Sequence, residues 1–319
     1  MGKITKIPTL NMSREDWLKE RRYSIGGSDA AAVMGLSKWS TPYTLFLDKL
    51  GILEAKEENE AMRQGRDLEA YVAERFAEAT GKRVRRENAI LRNEDYPFAH
   101  ADVDRLVVGE RAGLECKTTS TLDVRKFRDV EFPEQYYAQC VHYLAVTGLD
   151  RWYLAVLVLG REFHVYTLER DEDEIKALMD TERDFWENHV KTETPPPVDG
   201  FDPTTEAIRT VYADDNGEEV DFFDAYTDIL NERETLIAKR DELSEQIAEV
   251  ENKIKLGMGE TAKAVCGPYK ITWKTQTRST FQHKDLAKDH PEIDLTPYFK
   301  ESSSRPFKIT KQKPKKEDA

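Results

Sequence analysis

Asp104, Glu115 and Lys117 stand close together within residues 101–120 of this chain. Alternating apolar residues and a glycine-containing turn predict two adjacent strands in this stretch. Because side chains alternate along a strand, Glu115 and Lys117 are expected on one face of the second strand. Asp104, on the preceding strand, could reach the same face. A buried carboxylate or ammonium is costly unless it is paired or binds something, so this group is a candidate site.

An Asp…Glu-x-Lys group could perform metal-assisted hydrolysis of a phosphodiester. Two carboxylates can hold Mg²⁺, a hard cation that prefers oxygen ligands. The metal polarises the phosphate and lowers the pKa of a bound water, while a neighbouring lysine orients that water or offsets negative charge. The alternative is a salt-bridge ladder on an edge strand, because Glu-x-Lys alone is a weak signal. The other motifs of the chain are needed to choose between a metal site and a salt-bridge ladder.

A third carboxylate, Glu69, lies on the amphipathic helix predicted for residues 60–80, which Gly81 ends. The apolar stripe of this helix consists of Leu68, Val72, Phe76 and Ala79. Glu69 lies at the border of that stripe. It is either solvated, as most helical glutamates are, or an outer metal ligand beside Asp104 and Glu115.

A turn with two glycines and a serine, residues 25–28, joins a helix predicted at 13–22 to a short helix at 29–34. Backbone amides at such a turn can bind an anion, and Arg21 and Arg22 stand close by. The turn is therefore either a phosphate site or a plain connection between two helices.

Strands and helices alternate in the manner of an α/β domain that covers about residues 1–193. The predicted strands cover residues 82–91, 98–108, 113–119, 151–159 and 162–168, and further helices cover 43–50, 133–148 and 171–190. The unbroken apolar run at 151–159 is typical of a buried central strand. Gln139 and Tyr143 share one helical face because they are four residues apart.

The proline-rich composition after residue 193 predicts a linker over 194–220 and then an accessory region, 221–319. This region begins with apolar residues at a spacing of 3.5 over 221–256, which favours a long helix packed on a partner helix or another subunit. A small hairpin is expected at 262–274; its aromatic residues are either buried in the hairpin or contact single-stranded nucleic acid. A basic, disordered tail is expected at 311–319.

Composition indicates which partners and which cellular compartment to expect. The net charge of −13 argues against a nucleic-acid partner. However, the first 50 residues carry 8 Lys and Arg against 5 Asp and Glu, and global charge bears on solubility more than on a site. The scattered cysteines Cys116, Cys140 and Cys266 argue against a metal cluster and suit a reducing cytoplasm. No stretch approaches the roughly 18 apolar residues of a membrane span, and no secretory signal is visible, so we expect a cytoplasmic protein without a membrane partner.

Taken in order, these motifs resemble the phage lambda exonuclease (YqaJ-type viral recombinase) branch of the PD-(D/E)XK nucleases. The matching segments are WLKERRYSIGGSD with Trp17, Arg21 and Ser28, GRDLEAYVAERF around Glu69, ADVDRLV with Asp104, LECKTT with Glu115 and Lys117, and Gln139-x3-Tyr143. They cover about residues 13–168 in the expected order. The resemblance implies an α/β fold with a mixed sheet flanked by helices, to which the C-terminal region adds a long helix and a small β appendage.

The resemblance also implies roles for individual residues. Asp104 and Glu115 would bind the metal, with the carbonyl of Cys116 as a further ligand. Lys117 would position the attacking water, and Glu69 would contact the metal or its waters.

Four further residues match positions with roles in the family. Gln139 resembles the glutamine that fixes the site, and Tyr143 occupies the aromatic position of the same motif. Arg21 and Ser28 match residues that bind the terminal 5′-phosphate or the phosphate backbone.

One departure from the family pattern leaves a choice open. Val103-Asp104-Arg105 stands where Pro-Asp-Gly is usual. Asp102 therefore competes with Asp104 for the role of ligand, and their common alternation parity could bring both to the site.

The activity implied is that of a Mg²⁺-dependent 5′→3′ exonuclease on double-stranded DNA ends, with Mn²⁺ as a substitute. It would leave a 3′ single strand for the annealing protein of a phage or prophage recombination system in a bacterial host. Such relatives often form ring-shaped trimers that enclose DNA. The alternatives are a nicking or structure-specific endonuclease of the same superfamily and a non-catalytic protein that binds DNA ends.

Overall fold

The computed structural model describes residues 2–53, 59–120, 126–128, 130–300 and 304–310, so the tail predicted at 311–319 lies outside the described residues. The chain divides into two compact units, Met1–Ala213 and Asp214–Ala319. Among the helices that the structure describes, none has the length and apolar character needed to cross a membrane. The mixed α/β architecture expected from the sequence is confirmed.

The helices of the first unit have sequence-encoded starts and ends. They are α1 (Arg14–Arg22), α2 (Gly27–Val33), α3 (Pro42–Lys49), α4 (Glu60–Thr80), α5 (Glu134–Thr147), α6 (Glu172–Phe185) and α7 (Asp202–Val211), with a π-helical turn at Trp186–Val190. The Ser13 hydroxyl caps α1 by accepting from the Asp16 N–H. Gly81 ends α4 with a φ of 71°, a conformation that favours glycine.

The larger sheet has five strands in the order β3-β6-β7-β8-β9. They are β3 (Val84–Arg85), β6 (Arg105–Val107), β7 (Ala112–Thr119), β8 (Arg151–Val158) and β9 (Glu162–Glu169). β7 and β8 are parallel, and the other neighbours are antiparallel. α5 lies in the crossover that a parallel pair requires. The predicted central strand is confirmed as β8, which is buried from Trp152 to Val156.

The two faces of β7 contact different helices. Leu114 and Cys116 pack with Val72 and Phe76 of α4. Glu115 points to the opposite face, where α5 lies. The alternation predicted for this strand therefore separates an apolar face from a polar one.

The smaller sheet explains where two strand predictions were wrong. It consists of β1 (Ile4–Pro8), β4 (Ala89–Asn93), β5 (Ala99–Asp102) and β2 (Ile25–Gly26), in the order β1-β4-β5-β2. The stretch 98–108 is not one strand, because the chain leaves this sheet after Asp102 and enters the larger sheet at Arg105. The stretch 82–91 likewise divides between β3 and β4. Alternation is the same in one long strand and in two short ones, so the pattern alone could not reveal the switch.

The predicted apolar stripe of α4 is only partly correct. Val72 and Phe76 are buried as expected. Ala79 is exposed, whereas Ala73, three residues before Phe76, is buried. The face that packs on the sheet therefore ends one turn earlier than the sequence suggested.

The first unit extends into the stretch where the linker was expected. α7 lies within residues 194–220, and the hydroxyl oxygens of Thr41 and Thr204 are 2.7 Å apart. Ala207 of α7 is buried in the core of this unit. The proline content suggested a linker, but Pro203 stands in the first turn of α7, where its missing N–H costs little.

The second unit contains α8 (Thr227–Met258), the hairpin of β10 (Lys263–Cys266) and β11 (Tyr269–Thr272), and α9 (His283–Asp289), followed by a 3₁₀ turn at Thr296–Tyr298. The long helix and the small sheet predicted for this region are therefore confirmed. The apolar side chains of the 3.5-residue pattern are exposed on α8, including Ile229, Leu236 and Leu243.

Gly113 is a sensitive position of the larger sheet. A Cβ at Gly113 would lie 2.3 Å from the ring of Trp152, which is fully buried. Gly113→Ala is therefore expected to lower the free energy of unfolding by about 1–3 kcal/mol through overpacking. Urea unfolding followed by circular dichroism measures this change. Gly65→Ala is the control, because its Cβ would meet only Thr118 Oγ1 at an ordinary 3.7 Å; equal stability of Gly113→Ala and the wild type would contradict the packing argument.

Candidate active site

The switch between the two sheets brings Asp104 beside β7. The pairing of β6 with β7 ends where Arg105 lies opposite Leu114. The Cys116 N–H then donates to Asp104 Oδ2 at 2.7 Å. The carboxylate thus accepts a hydrogen bond that a backbone carbonyl would accept in a continued ladder. It lies next to Glu115 because Cys116 follows Glu115 in the strand.

Glu115 is buried and only half satisfied. Its side chain is 3% exposed, and its Oε1 lies 2.6 Å from Lys117 Nζ. The same Oε1 accepts from Gln139 Nε2 at 2.7 Å. Oε2 is also buried, but it has no hydrogen-bond partner among the residues that the structure describes. A buried carboxylate oxygen in this state costs free energy until a cation or a donor binds it.

The charges of this cluster shift one another's protonation equilibria. Burial and the charge of Glu115 raise the pKa of Asp104 well above its usual value. Burial lowers the pKa of Lys117, but the charges of Glu115 and Asp104 outweigh that effect and raise it overall. Lys117 is therefore an ammonium at neutral pH and acts as a donor rather than as a base. A metal cation that displaces the proton of Asp104 would therefore leave two carboxylates beside one ammonium, a charge balance that suits such a cation.

α5 holds this cluster through two side chains four residues apart. Gln139 Nε2 donates both to Glu115 and, at 2.9 Å, to the hydroxyl of Tyr143. The Tyr143 hydroxyl donates to the carbonyl of Asp102 at 3.1 Å. Burial raises the pKa of Tyr143 well above its usual value, so the phenol remains a neutral donor. One hydrogen-bonded chain therefore joins α5 to β5 and β7.

Asp102 and Asp104 lie on opposite sides of the sheet switch. Asp102 Oδ2 accepts from Trp17 Nε1 at 2.7 Å, and burial raises the pKa of this carboxyl. Asp102 and Asp104 are two residues apart and would share a face within one strand. They do not belong to one strand, so their carboxylates have different partners. The geometry favours Asp104 as the partner of Glu115.

Glu69 is paired with an arginine that sequence reasoning did not select. Glu69 Oε1 accepts from Arg105 Nη1, which also donates to the carbonyl of Asp104 at 2.6 Å. Arg105 is buried. The charge of Glu69 adds to the effects of burial and of Glu115 on the pKa of Asp104. The available signal was a charged residue directly after Asp104, where the related family has glycine.

A cavity of about 160 Å³ is lined by Gln139, the side chain that donates to Glu115. Its lining includes Arg21, Ser28, His100, Asp102, Gln139 and Tyr143. Arg21 Nη2 donates to Ser28 Oγ at 2.6 Å, and its guanidinium stacks over the ring of Trp17 at 4.5 Å. The two residues expected to contact a phosphate are thus adjacent in this cavity.

One backbone amide of the glycine turn is already occupied by a side chain. The Gly26 N–H already donates to Asp29 Oδ2 at 2.9 Å, and Lys49 Nζ lies 2.7 Å from the same oxygen. Burial opposes ionisation of Asp29, but the charges of Lys49 and Arg21 hold its pKa far below the usual range. Asp29 therefore occupies the amide that the sequence suggested for an anion. The spacing of a capping box, three residues after Gly26, was the missed signal.

The donor set fits a hydrated divalent cation. Within the described part of the chain, no group of three or more His, Cys, Asp or Glu side chains is placed to hold a metal ion. Mg²⁺ does not require such a cage, since it commonly binds through one or two carboxylates and keeps several waters. Asp104 and the unpartnered Oε2 of Glu115 supply that kind of site. Burial raises the pKa of the Cys116 thiol, so its sulfur is not a thiolate ligand.

Comparisons with known proteins agree on one family. Residues 16–150 match the model of the YqaJ-like viral recombinase domain. Over 286 residues the chain is 38% identical to the protein YqaJ of Bacillus subtilis (strain 168), an alignment that covers 88% of this chain and 90% of that protein.

Two solved structures are similar at low sequence identity. The alkaline exonuclease LHK-Exo from Laribacter hongkongensis, in complex with dAMP, is 20% identical with a TM-score of 0.48 and covers 62% of this chain and 98% of its own. A phage-related exonuclease from Haemophilus somnus 129PT is 13% identical with a TM-score of 0.41 and covers 56% of this chain and 99% of its own.

Divalent metal is expected to stabilise the protein through Asp104 and Glu115. MgCl₂ or MnCl₂ at about ten times the Kd should raise the free energy of unfolding by about 1.4 kcal/mol, because the ion binds only the folded chain. Thermal unfolding without DNA measures the effect as a rise in Tm. Asp104→Asn and Glu115→Gln should each abolish that rise.

Asp102→Asn, in the same measurement, tests whether Asp102 or Asp104 is the metal ligand. The variant should retain the metal-dependent rise in Tm, since Trp17 can still donate to the amide oxygen. Asp150→Asn, at an exposed carboxylate paired with Arg111, is the surface control. Loss of the rise in Asp102→Asn together with its retention in Asp104→Asn would reverse the assignment.

Proposed function

This chain belongs to the YqaJ-like viral recombinase family, and from that premise we propose that it is a metal-dependent deoxyribonuclease that degrades double-stranded DNA from 5′ ends. The observation that carries the proposal is Glu115 Oε2, which has no hydrogen-bond partner within the described part of the chain and lies beside Asp104 and the Lys117 ammonium. This arrangement on β7, whose partner Gln139 also lines the cavity, supports the PD-(D/E)XK chemistry that the sequence resembles. The product would be a 3′ single strand that passes to a phage annealing protein.

In the proposed mechanism Asp104 and Glu115 would hold Mg²⁺ or Mn²⁺, with the carbonyl of Cys116 as a further ligand. When bound, such an ion would supply Lewis-acid polarisation of the phosphodiester and a more acidic water. Gln139 keeps Glu115 oriented through the hydrogen bond to Oε1, which leaves Oε2 available as a ligand. Glu69, held by Arg105, adds negative charge at the same end of β7.

Lys117 acts on the attacking water and on the charge that develops at the phosphate. Its ammonium lies 2.6 Å from Glu115 Oε1 and 5.5 Å from the centre of the Tyr136 ring. These contacts hold the side chain at the edge of the site, where 27% of it is exposed. A fixed cation there stabilises the negative transition state more effectively than a mobile one, because little reorganisation is needed.

The cavity that Gln139 lines is proposed to receive the 5′-terminal phosphate. Arg21 supplies a guanidinium, and Ser28 supplies a hydroxyl 2.6 Å from it. Arginine binds phosphate through several N–H donors in a fixed geometry. The stacking of Arg21 on Trp17 keeps that geometry in the absence of DNA.

Lys117→Ala is expected to lower the cleavage rate by about 10²–10⁴-fold, the range of a positioned group that acts on proton transfer or charge. The measurement is nucleotide release from a linear duplex with phosphorylated 5′ ends and Mg²⁺, with the 5′ nucleotide labelled. Label should appear first as mononucleotide in the wild type, and binding of DNA in EDTA should change little in the variant. Lys176→Ala, at an exposed lysine on α6, is the matched control.

A covalently closed circle in the same reaction tests the exonuclease assignment. The circle should survive because it has no terminus. Cleavage of the circle would instead identify a nicking or structure-specific endonuclease. Tight binding of duplex ends without release of nucleotides in Mg²⁺ or Mn²⁺ would identify a non-catalytic end-binding protein.

We also propose that the chain forms a homo-oligomer, for which the resemblance implies a trimer. The support is the exposed seam of α8, whose heptad positions carry Ile229, Leu236, Leu243, Ile247, Val250 and Ile254, with Arg233 and Arg240 as interruptions. Leu236→Asp combined with Leu243→Asp should dissociate the oligomer, as measured by sedimentation velocity. Leu256→Asp, off the seam and more exposed, should not. A wild-type chain that sediments as a monomer would contradict this proposal.

A further inference from the structure

The side chain of His100 has an unsatisfied nitrogen in the cavity that contains Arg21 and Ser28. His100 lies on β5 and is 1% exposed. Its Nε2 is buried and has no hydrogen-bond partner among the described residues, although the residue lines the cavity. An unpartnered ring nitrogen at a buried position is costly, and a ligand that pairs with it would recover that cost.

The other polar groups of His100, the ring Nδ1 and the backbone carbonyl, have hydrogen-bond partners. Ser24 Oγ lies 2.9 Å from His100 Nδ1, and the carbonyl of His100 accepts from His142 Nε2 at 2.8 Å. His142 is in turn paired with the buried Glu182 at 2.8 Å. The imidazole therefore cannot rotate to satisfy Nε2 without breaking its bond to Ser24.

Two glycines keep open the space in front of Nε2. Gly26 lies opposite His100 in the pairing of β2 with β5, and a Cβ at Gly26 would lie 2.8 Å from Nε2. A Cβ at Gly27 would lie 2.4 Å from the ring of Tyr143. Neither glycine has a positive φ. Glycine is therefore required at these positions for space rather than for backbone conformation.

We propose that His100 Nε2–H donates to an oxygen of the 5′-terminal phosphate and is the third side-chain donor of this pocket, beside Arg21 and Ser28. In this proposal the Ser24 hydroxyl is the donor to Nδ1, 2.9 Å away, which places the ring proton on Nε2. A terminal phosphate presents three oxygens to such donors, one more than a phosphodiester within the strand. The inference deepens the proposed function, on which it rests, by assigning His100 the selection of a terminus over an internal linkage.

Asp102 in the same cavity favours a third donor to the phosphate. Its carboxylate lines the same cavity and partly offsets the positive charge of Arg21. Burial, with the charges of Lys49 and Arg21, lowers the pKa of His100 well below its usual range. The ring is therefore a neutral donor, which binds an anion through direction and proximity rather than through net charge. A pocket of this kind distinguishes phosphates by the number of oxygens that they offer.

The test compares binding of matched duplexes with 5′-phosphate and 5′-hydroxyl ends, in EDTA so that no cleavage occurs, by fluorescence anisotropy. His100→Leu should reduce the preference for the phosphate by about 10- to 100-fold, the range of a hydrogen bond to a charged group. His100→Gln, which can place an amide N–H near the position of Nε2, should restore most of it. His189→Gln, at a histidine outside the cavity, is the control and should retain the wild-type preference.

Nitrogen NMR of the wild type with labelled histidine needs no variant to fold. The Nε2 signal of His100 should shift when the phosphorylated duplex binds and should not shift with the hydroxyl duplex. An unchanged signal with bound phosphorylated DNA would overturn the assignment of His100.

The outcomes separate the two levels of the proposal. A preference that Arg21→Ala loses and His100→Leu keeps would overturn the role of His100 and leave the phosphate pocket standing. A wild type without any preference would overturn both. A preference that depends on His100 in a protein that releases no nucleotides would support this inference and overturn the proposed nuclease activity.

Discussion

The hydrogen bond from the Cys116 N–H to Asp104 Oδ2 is the contact on which the rest of the site depends. It forms because the chain changes sheets between Asp102 and Arg105, so that a side chain rather than a backbone carbonyl meets β7. One continued strand would pair its backbone with Cys116 and direct the Asp104 carboxylate elsewhere. The sheet switch therefore brings two acidic side chains together without a flexible loop, which gives the site a defined geometry.

Such a pair of carboxylates is unfavourable in a fold without a counter-charge, and the surrounding residues limit that cost. Lys117 neutralises one charge, while Gln139 satisfies one oxygen of Glu115. Arg105 fixes Glu69 and the carbonyl of Asp104 at the same end of the strand. The remaining cost falls on Glu115 Oε2, and a cation would relieve it. A local cost of this kind is expected at a binding site, because a ligand can relieve it, whereas the other polar groups of the cluster already have partners.

Much of this arrangement could be predicted because periodicity fixes which residues share a face. The i+2 spacing of Glu115 and Lys117 and the i+4 spacing of Gln139 and Tyr143 led directly to observed contacts. The sheet switch could not be predicted, since alternation does not state to which sheet a residue belongs. The pairing of Arg105 with Glu69 joins a strand to a helix far away in the sequence. His100 was missed for a related reason: its Nε2 has no hydrogen-bond partner among the residues described, and only the pairing of β2 with β5 reveals that.

Under the proposed function, Gln139 and Tyr143 would couple end recognition to hydrolysis. Gln139 and Tyr143 line the cavity, while Gln139 also holds Glu115. Tyr143 is fixed by the carbonyl of Asp102 and packs 4.9 Å from the ring of Trp152, which is buried in β8.

A terminal phosphate held in the cavity would therefore place an adjacent phosphodiester at the carboxylate pair, at a spacing set by one helix and two strands. Under the proposed function the fold itself then selects which linkage is attacked, counted from the terminus. Under that proposal each hydrolysis would leave a new 5′-terminal phosphate for the cavity, which would favour stepwise degradation from an end.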